Sequence, residues 1–470
     1  MRYDGKIIGF VLILFFCAAS SARAVDEVDR YIETRMRSLH IPSVSLAVVR
    51  DGRIIKVQGY GYANLELQSP ATKKTVYEIG SITKQFTAVA VMMLVEEGKI
   101  NLNEKITKYF AEAPAAWNEI TVRHLLSHTS GIQNHVAVPG FMGIFKTNLL
   151  GETTPTSAEI VKEFFKLPQE FQPGETWAYD NGGYILLGLI IEKTSGKPYF
   201  QFLDERIFKP LGMTATRSTE TKQIVPNRAA GYEWVSGKFE NRPVLLPAIA
   251  FSAGSVLSTV EDMAKMDAAL YTEKLLKKSS LAQIWTPAKT NDGALASIDY
   301  GFGWFVGSFH NRRFVQHTGG TPGFSAAFYR FVDDRLTVII LTNHSDKIID
   351  PLAIDIAGMY EPKLKRAEGK PDSEPEMTRK HQEVMMNLLN GKYDAALFTP
   401  AMRKFLNTST GKGFWQWVAS HGKLQSFKLS DVEDFGESRV SRYKVGLGDN
   451  SYWFSFRLMK DGKIAQIYWW

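Results

Sequence analysis

Cysteine is almost missing: the 470 residues contain only Cys17. No disulfide can form within the chain, and a chain of this length must hold itself together by burying a large core. Charge of one sign is also scarce. The 56 lysines and arginines stand against 49 aspartates and glutamates, giving +7, and no long basic block occurs. That balance argues against a nucleic-acid partner and for a surface of scattered, solvated charge. There is no internal repeat. There is also no G-x-S-x-G elbow and no H-E-x-x-H pair, which disfavours an α/β-hydrolase nucleophile turn and a zinc protease helix.

The first 24 residues have the make-up of a secretory signal. Arg2 and Lys6 precede an apolar run at 7–19, and Ala22-Arg23-Ala24 fits a small-residue cleavage site. The run is shorter than the roughly 20 residues a membrane span needs, so a cleaved signal is favoured over an uncleaved anchor. Lipidation of Cys17 is disfavoured by the bulky Phe15 and Phe16 before it. Cleavage near Val25 would remove Arg2, Lys6, Arg23 and Asp4 and lower the net charge from +7 to +5. The expected location is secreted or periplasmic, with no membrane contact beyond the export signal.

The stretch Glu78-Ile79-Gly80-Ser81-Ile82-Thr83-Lys84-Gln85-Phe86 organises the rest. Ser81 opens an apolar helix and Lys84 follows three positions later, close to one turn, so the two side chains share a face. A serine hydroxyl needs a base to become a nucleophile, and a neutral lysine amine can serve. Neutrality requires burial or nearby positive charge. S-x-x-K alone is equally an N-cap followed by a solvated lysine. Here the following run, Phe86 to Leu94, is apolar nearly all round and therefore reads as buried. A lysine at the head of such a helix calls for a reason.

A hairpin is expected at 44–49 and 54–60 around Asp51-Gly52. Helical periodicity recurs at 81–97, 157–166, 180–196 and 259–271, and strand patterns return at 300–306, 313–317, 325–331 and 336–343. The simplest architecture is α+β: an antiparallel sheet made from both ends of a domain spanning 25–360, flanked by helices, with a large helical insert. Residues 361–377 are charged, proline-bearing and poor in large apolar side chains, and read as a linker. Helices at 378–390 and 400–406, then strands at 426–432, 439–447, 452–459 and 463–470, make 378–470 a small accessory α+β domain. Its aromatic set Phe414, Trp415, Trp417, Trp453, Tyr468, Trp469 and Trp470 reads first as a sheet core and second as a glycan or partner surface.

Two further stretches complete a site. Tyr179-Asp180-Asn181 offers a phenol to relay a proton and an amide to bond a substrate and an amine. His317-Thr318-Gly319-Gly320 ends a strand, where glycines let a substrate backbone approach; the histidine can bond the phenol and the threonine a carboxylate or carbonyl. His124 and His128 have metal-ligand spacing, but a hydrogen-bonded turn is favoured over zinc because no third ligand is indicated.

In Ser81-Ile82-Thr83-Lys84, Tyr179-Asp180-Asn181 and His317-Thr318-Gly319, in that order, the chain resembles the serine β-lactamase and penicillin-binding-protein superfamily, in its class C and D-alanyl-D-alanine carboxypeptidase and esterase branch. Residues 121–131, Phe171-Gln172-Pro173-Gly174 and Ser252-Ala253-Gly254-Ser255 extend the resemblance over roughly 28–345. The accessory domain faintly resembles a cystatin-like or nuclear-transport-factor-like fold. The main resemblance implies a β-lactamase/transpeptidase-like fold and an acyl-enzyme serine hydrolase. Ser81 would be the nucleophile, Lys84 its base, Tyr179 a proton relay, and Asn181 the group orienting Lys84 and substrate. The backbone amides of Ser81 and Gly320 would form the oxyanion hole, with Thr318 and Gly319 beside the substrate, and neither metal nor cofactor is called for. His317 departs from the lysine usual in β-lactamases of this group, which favours a carboxypeptidase, esterase or peptidase over a β-lactamase. A penicillin-recognising receptor that is acylated without turnover is the alternative of another kind. The implied partner is a small-molecule or peptide substrate, cell-wall fragments among the candidates; the sequence leaves the oligomeric state open.

Overall fold

The computed structural model describes residues 26–138, 156–219, 222–242, 247–345, 349–366 and 371–469. The signal-like residues 1–24 and Trp470 lie outside them. Asp51 and Gly52 both take left-handed backbone, φ 53° and 72°, and so close the tight hairpin between strands Ser43–Arg50 and Arg53–Asn64. Leu336–Thr342 pairs with Ser43–Arg50 on its other side, with Val44 opposite Thr342, so both ends of the domain meet at the centre of one sheet. Phe324–Phe331, Arg312–Thr321 and Phe305–Phe309 extend it to seven antiparallel strands, with Ser69–Pro70 at the far edge.

Both faces of the sheet are covered, and the period-2 pattern sorts its side chains accordingly. Leu46 and Val48 pack with Val28, Ile32 and Met36 of helix Glu27–Leu39 and with Leu352 and Ile356 of helix Asp350–Tyr360. Ala47 and Val49 face the opposite core, which holds helices Thr83–Glu96 and Asn181–Ser195. Every residue from Thr83 to Leu94 is buried. At about 1.5 to 3 kcal/mol for each large apolar side chain removed from water, packing rather than helix propensity fixes this element. This is the mixed, helix-flanked antiparallel architecture of a β-lactamase/transpeptidase-like fold.

Helices Pro375–Leu389, Pro400–Asn407 and Ser409–Ser420 precede a four-stranded antiparallel sheet, Leu424–Asp434, Ser438–Leu447, Asn450–Met459 and Ile464–Trp469, whose strands lie in sequence order. Three details differ from the pattern-based expectation. The strand expected at 300–306 is Phe305–Phe309, because Gly301 and Gly303 carry the preceding backbone in a tight loop against Ile284 and Lys84. Helix Ser409–Ser420 was hidden by Gly411 and Gly413; Gly411 is needed because a Cβ there would sit 2.1 Å from the Phe405 carbonyl oxygen. Within the linker stretch, Leu364 is fully buried, Arg366 pairs with Asp355, and helix Pro375–Leu389 has already begun.

The aromatic set does not form one core. Trp415 is buried beside Phe454, whereas Trp453 joins the packing around helix Asp350–Tyr360 and lies against Arg366. Phe414, Tyr468 and Trp469 line a cavity shared with the first domain.

Candidate active site

Gly80 enters the site in left-handed backbone, φ 50°, and the turn Gly80–Ile82 leads into helix Thr83–Glu96. The turn packs on strand Arg312–Thr321 so closely that a Cβ on Gly319 would meet the Ile79 carbonyl oxygen at 1.9 Å, and one on Gly80 would meet the Gly320 nitrogen at 2.6 Å. Only glycine fits at both positions. The missing Cβ of Gly319 would also lie 3.1 Å from the Ser81 nitrogen, so this contact brings the backbones around Ser81 and Gly320 together. Pairing with strand Phe305–Phe309 stops at Gln316, which leaves 317–321 without a strand neighbour on that edge among the described residues.

Half-buried Ser81 caps no helix; no side-chain cap bond forms at this N-terminus. Its hydroxyl instead meets an amine and a phenol. Lys84 is fully buried, with Nζ 3.1 Å from Ser81 Oγ, 2.8 Å from Asn181 Oδ1 and 2.9 Å from the Ala253 carbonyl oxygen. A neutral amine has two protons and one lone pair. Asn181 and Ala253 offer the two acceptors, and the lone pair is left for the serine proton. Burial holds the Lys84 pKa well below its usual 10.5, with Asp180 opposing. Asp180 opposes weakly, because burial pushes its own carboxyl up to about 8 and keeps it largely protonated at neutral pH.

The elements supplying these groups follow from local sequence. Asp180 caps helix Asn181–Ser195 by accepting the Gly183 N–H at 2.8 Å, and this fixes Asn181 in the first turn with its side-chain N–H donating to Asn134 Oδ1. Phe251, at φ 35°, breaks the segment Pro247–Gly254 just before the Ala253 carbonyl that accepts from Lys84. Tyr179 hydrogen-bonds Ser81, and its ring lies 4.7 Å from Lys84 Nζ. Removal from water raises the phenol above its ordinary pKa against the opposing hydrogen bond with Ser81, so Tyr179 rests protonated with its hydroxyl beside Ser81 Oγ.

His317 is buried, but its Nε2 partner is Tyr300, at 3.1 Å, rather than the Tyr179 phenol; the His317 and Tyr179 ring centroids are 6.2 Å apart. Its Nδ1 faces the Thr318 carbonyl at 2.5 Å, which fixes the proton on Nδ1 and leaves Nε2 to accept from the Tyr300 hydroxyl. Burial and the nearby Lys84 push the imidazole down to about 3, so it is neutral at working pH. Tyr184 lies beside Tyr300, and its hydroxyl donates to the Leu126 carbonyl at 2.6 Å. His128, left-handed at φ 57°, accepts the Asp180 N–H on Nδ1 and is surrounded by the rings of Trp177, Tyr179, Tyr184 and Tyr300. His124 accepts the Thr121 N–H, so each of these two histidines uses a ring nitrogen to anchor backbone. The sequence does not mark Tyr300, Tyr184 or the Ala253 carbonyl as site groups and marks His128 only by its spacing from His124; His128 and Ala253 fall in the connecting stretches, whereas Tyr300 and Tyr184 carry no motif.

Ser81, Tyr179, Thr318, Gly319 and Gly320 open onto a cavity of about 450 Å³. A larger groove of about 660 Å³ around Met36, His40 and Phe239 shares no lining residue with it and holds no paired nucleophile and base. The geometry on the Ser81 side can activate a hydroxyl and protonate a leaving group.

Comparison with known proteins agrees with this chemistry. The beta-lactamase family model matches residues 28–356. A penicillin-binding protein of Bacillus subtilis (strain 168) is 29% identical over 458 residues, covering 92% of this chain and 97% of that protein. The octameric penicillin-binding protein homologue of Pyrococcus abyssi shares the fold over 93% of this chain and 94% of its own, with TM-score 0.63 and 23% identity. A D-amino acid amidase of Ochrobactrum anthropi SV3, solved with L-phenylalanine, is 26% identical with TM-score 0.56 over 70% of this chain and 94% of its own. The chain belongs to the beta-lactamase family of serine hydrolases.

Proposed function

We propose that the protein is an exported serine hydrolase that cleaves a small amide, peptide or ester through an acyl-enzyme on Ser81. The observation that carries this reading is the fully buried Lys84 amine, 3.1 Å from Ser81 Oγ, with its other contacts both to acceptors. In the first step the Ser81 proton passes to Lys84 Nζ as Oγ attacks the carbonyl carbon, and the resulting oxyanion is met by the backbone N–H groups of Ser81 and Gly320. One such donor is typically worth about 3 to 4 kcal/mol of barrier. Tyr179 then gives its proton to the departing nitrogen or oxygen and is reprotonated from the Lys84 ammonium. In deacylation the same pair takes a proton from water and returns one to Ser81. Asn181 orients Lys84, and Thr318 and Gly319 flank the substrate.

The amide side of the reading is supported by the relative named as a D-amino acid amidase. A neutral His317 in place of a lysine disfavours β-lactams as the main substrate. Export rests on residues 1–24 and is checked by the N-terminal mass of protein recovered outside the cytoplasm, expected to begin near Val25. The central test is steady-state hydrolysis of nitrocefin, p-nitrophenyl esters and D-aminoacyl peptides by the mature protein, with Ser81→Ala as control. Turnover that vanishes in the control supports the reading, full activity in the control defeats it, and persistent stoichiometric acylation without turnover identifies a receptor.

A further inference from the structure

The cavity in front of Ser81 has one wall from each domain. The first domain contributes Trp177, Ile298 and Phe305. The C-terminal domain contributes Phe405 and Phe414 from its helices and Ile467, Tyr468 and Trp469 from its last strand. The second wall is fastened to the catalytic elements. Thr410 Oγ1 donates to the Tyr179 carbonyl at 3.1 Å, Thr176 Oγ1 donates to the Ala401 carbonyl at 2.7 Å, and the rings of Trp177 and Phe405 lie 6.1 Å apart. Trp177 and Tyr300 share a hydrophobic core with Phe405, Trp415 and Phe454. The two domains therefore enclose the site as one packed unit.

This cavity has little charge to offer. Among the described residues that line it there is no lysine or arginine, and its acids are Asp299 and Asp350. Asp299 is answered by Arg457 at 2.9 Å and by Gln466 at 2.8 Å. Asp350 accepts from the Tyr329 hydroxyl, and burial pushes its carboxyl up to about 6. His317 is neutral for the reasons above. An anionic group placed here would lose its hydration and find no cation among the described lining residues, a large cost, whereas an apolar group would gain about 0.8 kcal/mol per buried methylene.

We infer that the C-terminal domain supplies the specificity wall of the active site, and that the substrate is an acyl compound without an anionic group, whose apolar or aromatic acyl group packs against Phe414 and Trp469. This rests on the reading of Ser81 as the nucleophile and goes beyond it by naming the substrate class and the residues that select it. A volume near 450 Å³ suits such a small molecule, within the roughly 300 to 1,000 Å³ of ordinary ligand sites. The strand edge at 318–320 borders the same space, so an acyl carbonyl held there would direct its chain along these aromatics.

The test compares kcat/KM for p-nitrophenyl acetate and p-nitrophenyl octanoate. It also compares p-nitrophenyl pentanoate with mono-p-nitrophenyl glutarate, which match in length and differ in terminal charge. The expected wild-type preference is at least about tenfold for octanoate over acetate and about tenfold for pentanoate over glutarate, by analogy with the 10- to 200-fold a methylene can command in an apolar pocket. Phe414→Ala and Trp469→Ala should each lower the octanoate-to-acetate ratio by several-fold. A ratio of two kcat/KM values is independent of the amount of active enzyme, so a partly unfolded variant cannot imitate the effect. Equal turnover of octanoate and acetate, a preference for glutarate, or ratios untouched by both variants would overturn the inference while leaving Ser81 as nucleophile. Ester hydrolysis that survives Ser81→Ala would instead remove the underlying reading.

Discussion

The two sides of Ser81 are built differently. Beneath it, Lys84, Asn181 and Ala253 form a closed polar nook in which each contact of the amine is a hydrogen bond of 2.8 to 3.1 Å. Facing it, Trp177, Phe305, Phe414 and Trp469 form an open aromatic chamber with few polar contacts. The nook is over-determined, because a buried amine without acceptors would be costly. The chamber is lined by aromatic faces, and the bonds that fasten its walls, from Thr410 to the Tyr179 carbonyl and from Thr176 to the Ala401 carbonyl, lie behind them. Chemistry should therefore respond sharply to single-atom edits on the first side, and selectivity should respond gradually on the second.

The largest expected effect comes from the nook. Lys84→Ala removes the base and should lower kcat/KM by on the order of 10³-fold or more, within the range of general-base and nucleophile-activation losses. Turnover of an activated ester by Lys84→Ala at wild-type rate would break the contrast. Tyr179→Phe should cost about 10²-fold or more on an amide and much less on a p-nitrophenyl ester, whose leaving group departs without a proton; equal losses on both would contradict the role of the phenol as donor.

Tyr300→Phe sharpens the boundary between the two sides. The variant keeps the ring packed against Trp177 and His128 but takes from His317 Nε2 its hydroxyl partner. A lost bond of this kind is worth about 0.5 to 1.5 kcal/mol, so kcat should fall by about two- to tenfold with KM for apolar esters little changed. A change in KM alone would assign Tyr300 to the chamber.

The remaining effect is on stability and leaves the chemistry of Ser81 aside. Burial raises the folded-state pKa of Asp180 from 3.8 to about 8, so folding favours its protonated form. That contribution is complete below 3.8 and is lost as the pH climbs through about 8. Asp180→Asn keeps a cap for the Gly183 N–H and removes this titration. Its Tm should consequently fall less than that of the wild type between about pH 6 and pH 9, as read by thermal unfolding across that range; parallel declines would count against a buried, proton-holding carboxyl.

Two pieces of the nook were legible in the sequence because each is local, although Lys84 and Asn181 lie 97 positions apart. Ser81 and Lys84 are one helical turn apart, and Asp180-Asn181 announces a helix start. The sheet was legible for the same reason: runs of strand-forming residues at 44–49 and 336–343, bounded by turn residues, mark strands, and both are buried on both faces. The chamber was not, since Phe414 and Trp469 meet Trp177 only after the C-terminal domain has docked, and no periodicity encodes that encounter. Glycines concealed both helix Ser409–Ser420 and the loop that carries Tyr300. The Ala253 carbonyl is backbone and carries no residue-type signal, although Ser252-Ala253-Gly254-Ser255 around it is part of the family resemblance. The pairing of His317 with Tyr300 instead of Tyr179 depends on which of two phenols the folded strand end reaches.

The most direct test of the central claim is the pH dependence of covalent labelling at Ser81 by a fluorophosphonate, followed by intact-protein and peptide mass. A Ser81 hydroxyl activated by a neutral, buried Lys84 predicts one adduct, on Ser81, whose rate reaches its plateau well below pH 10.5 and loses that limb in Lys84→Ala. A rate that keeps rising to about pH 10.5, or an adduct on another residue, would contradict it.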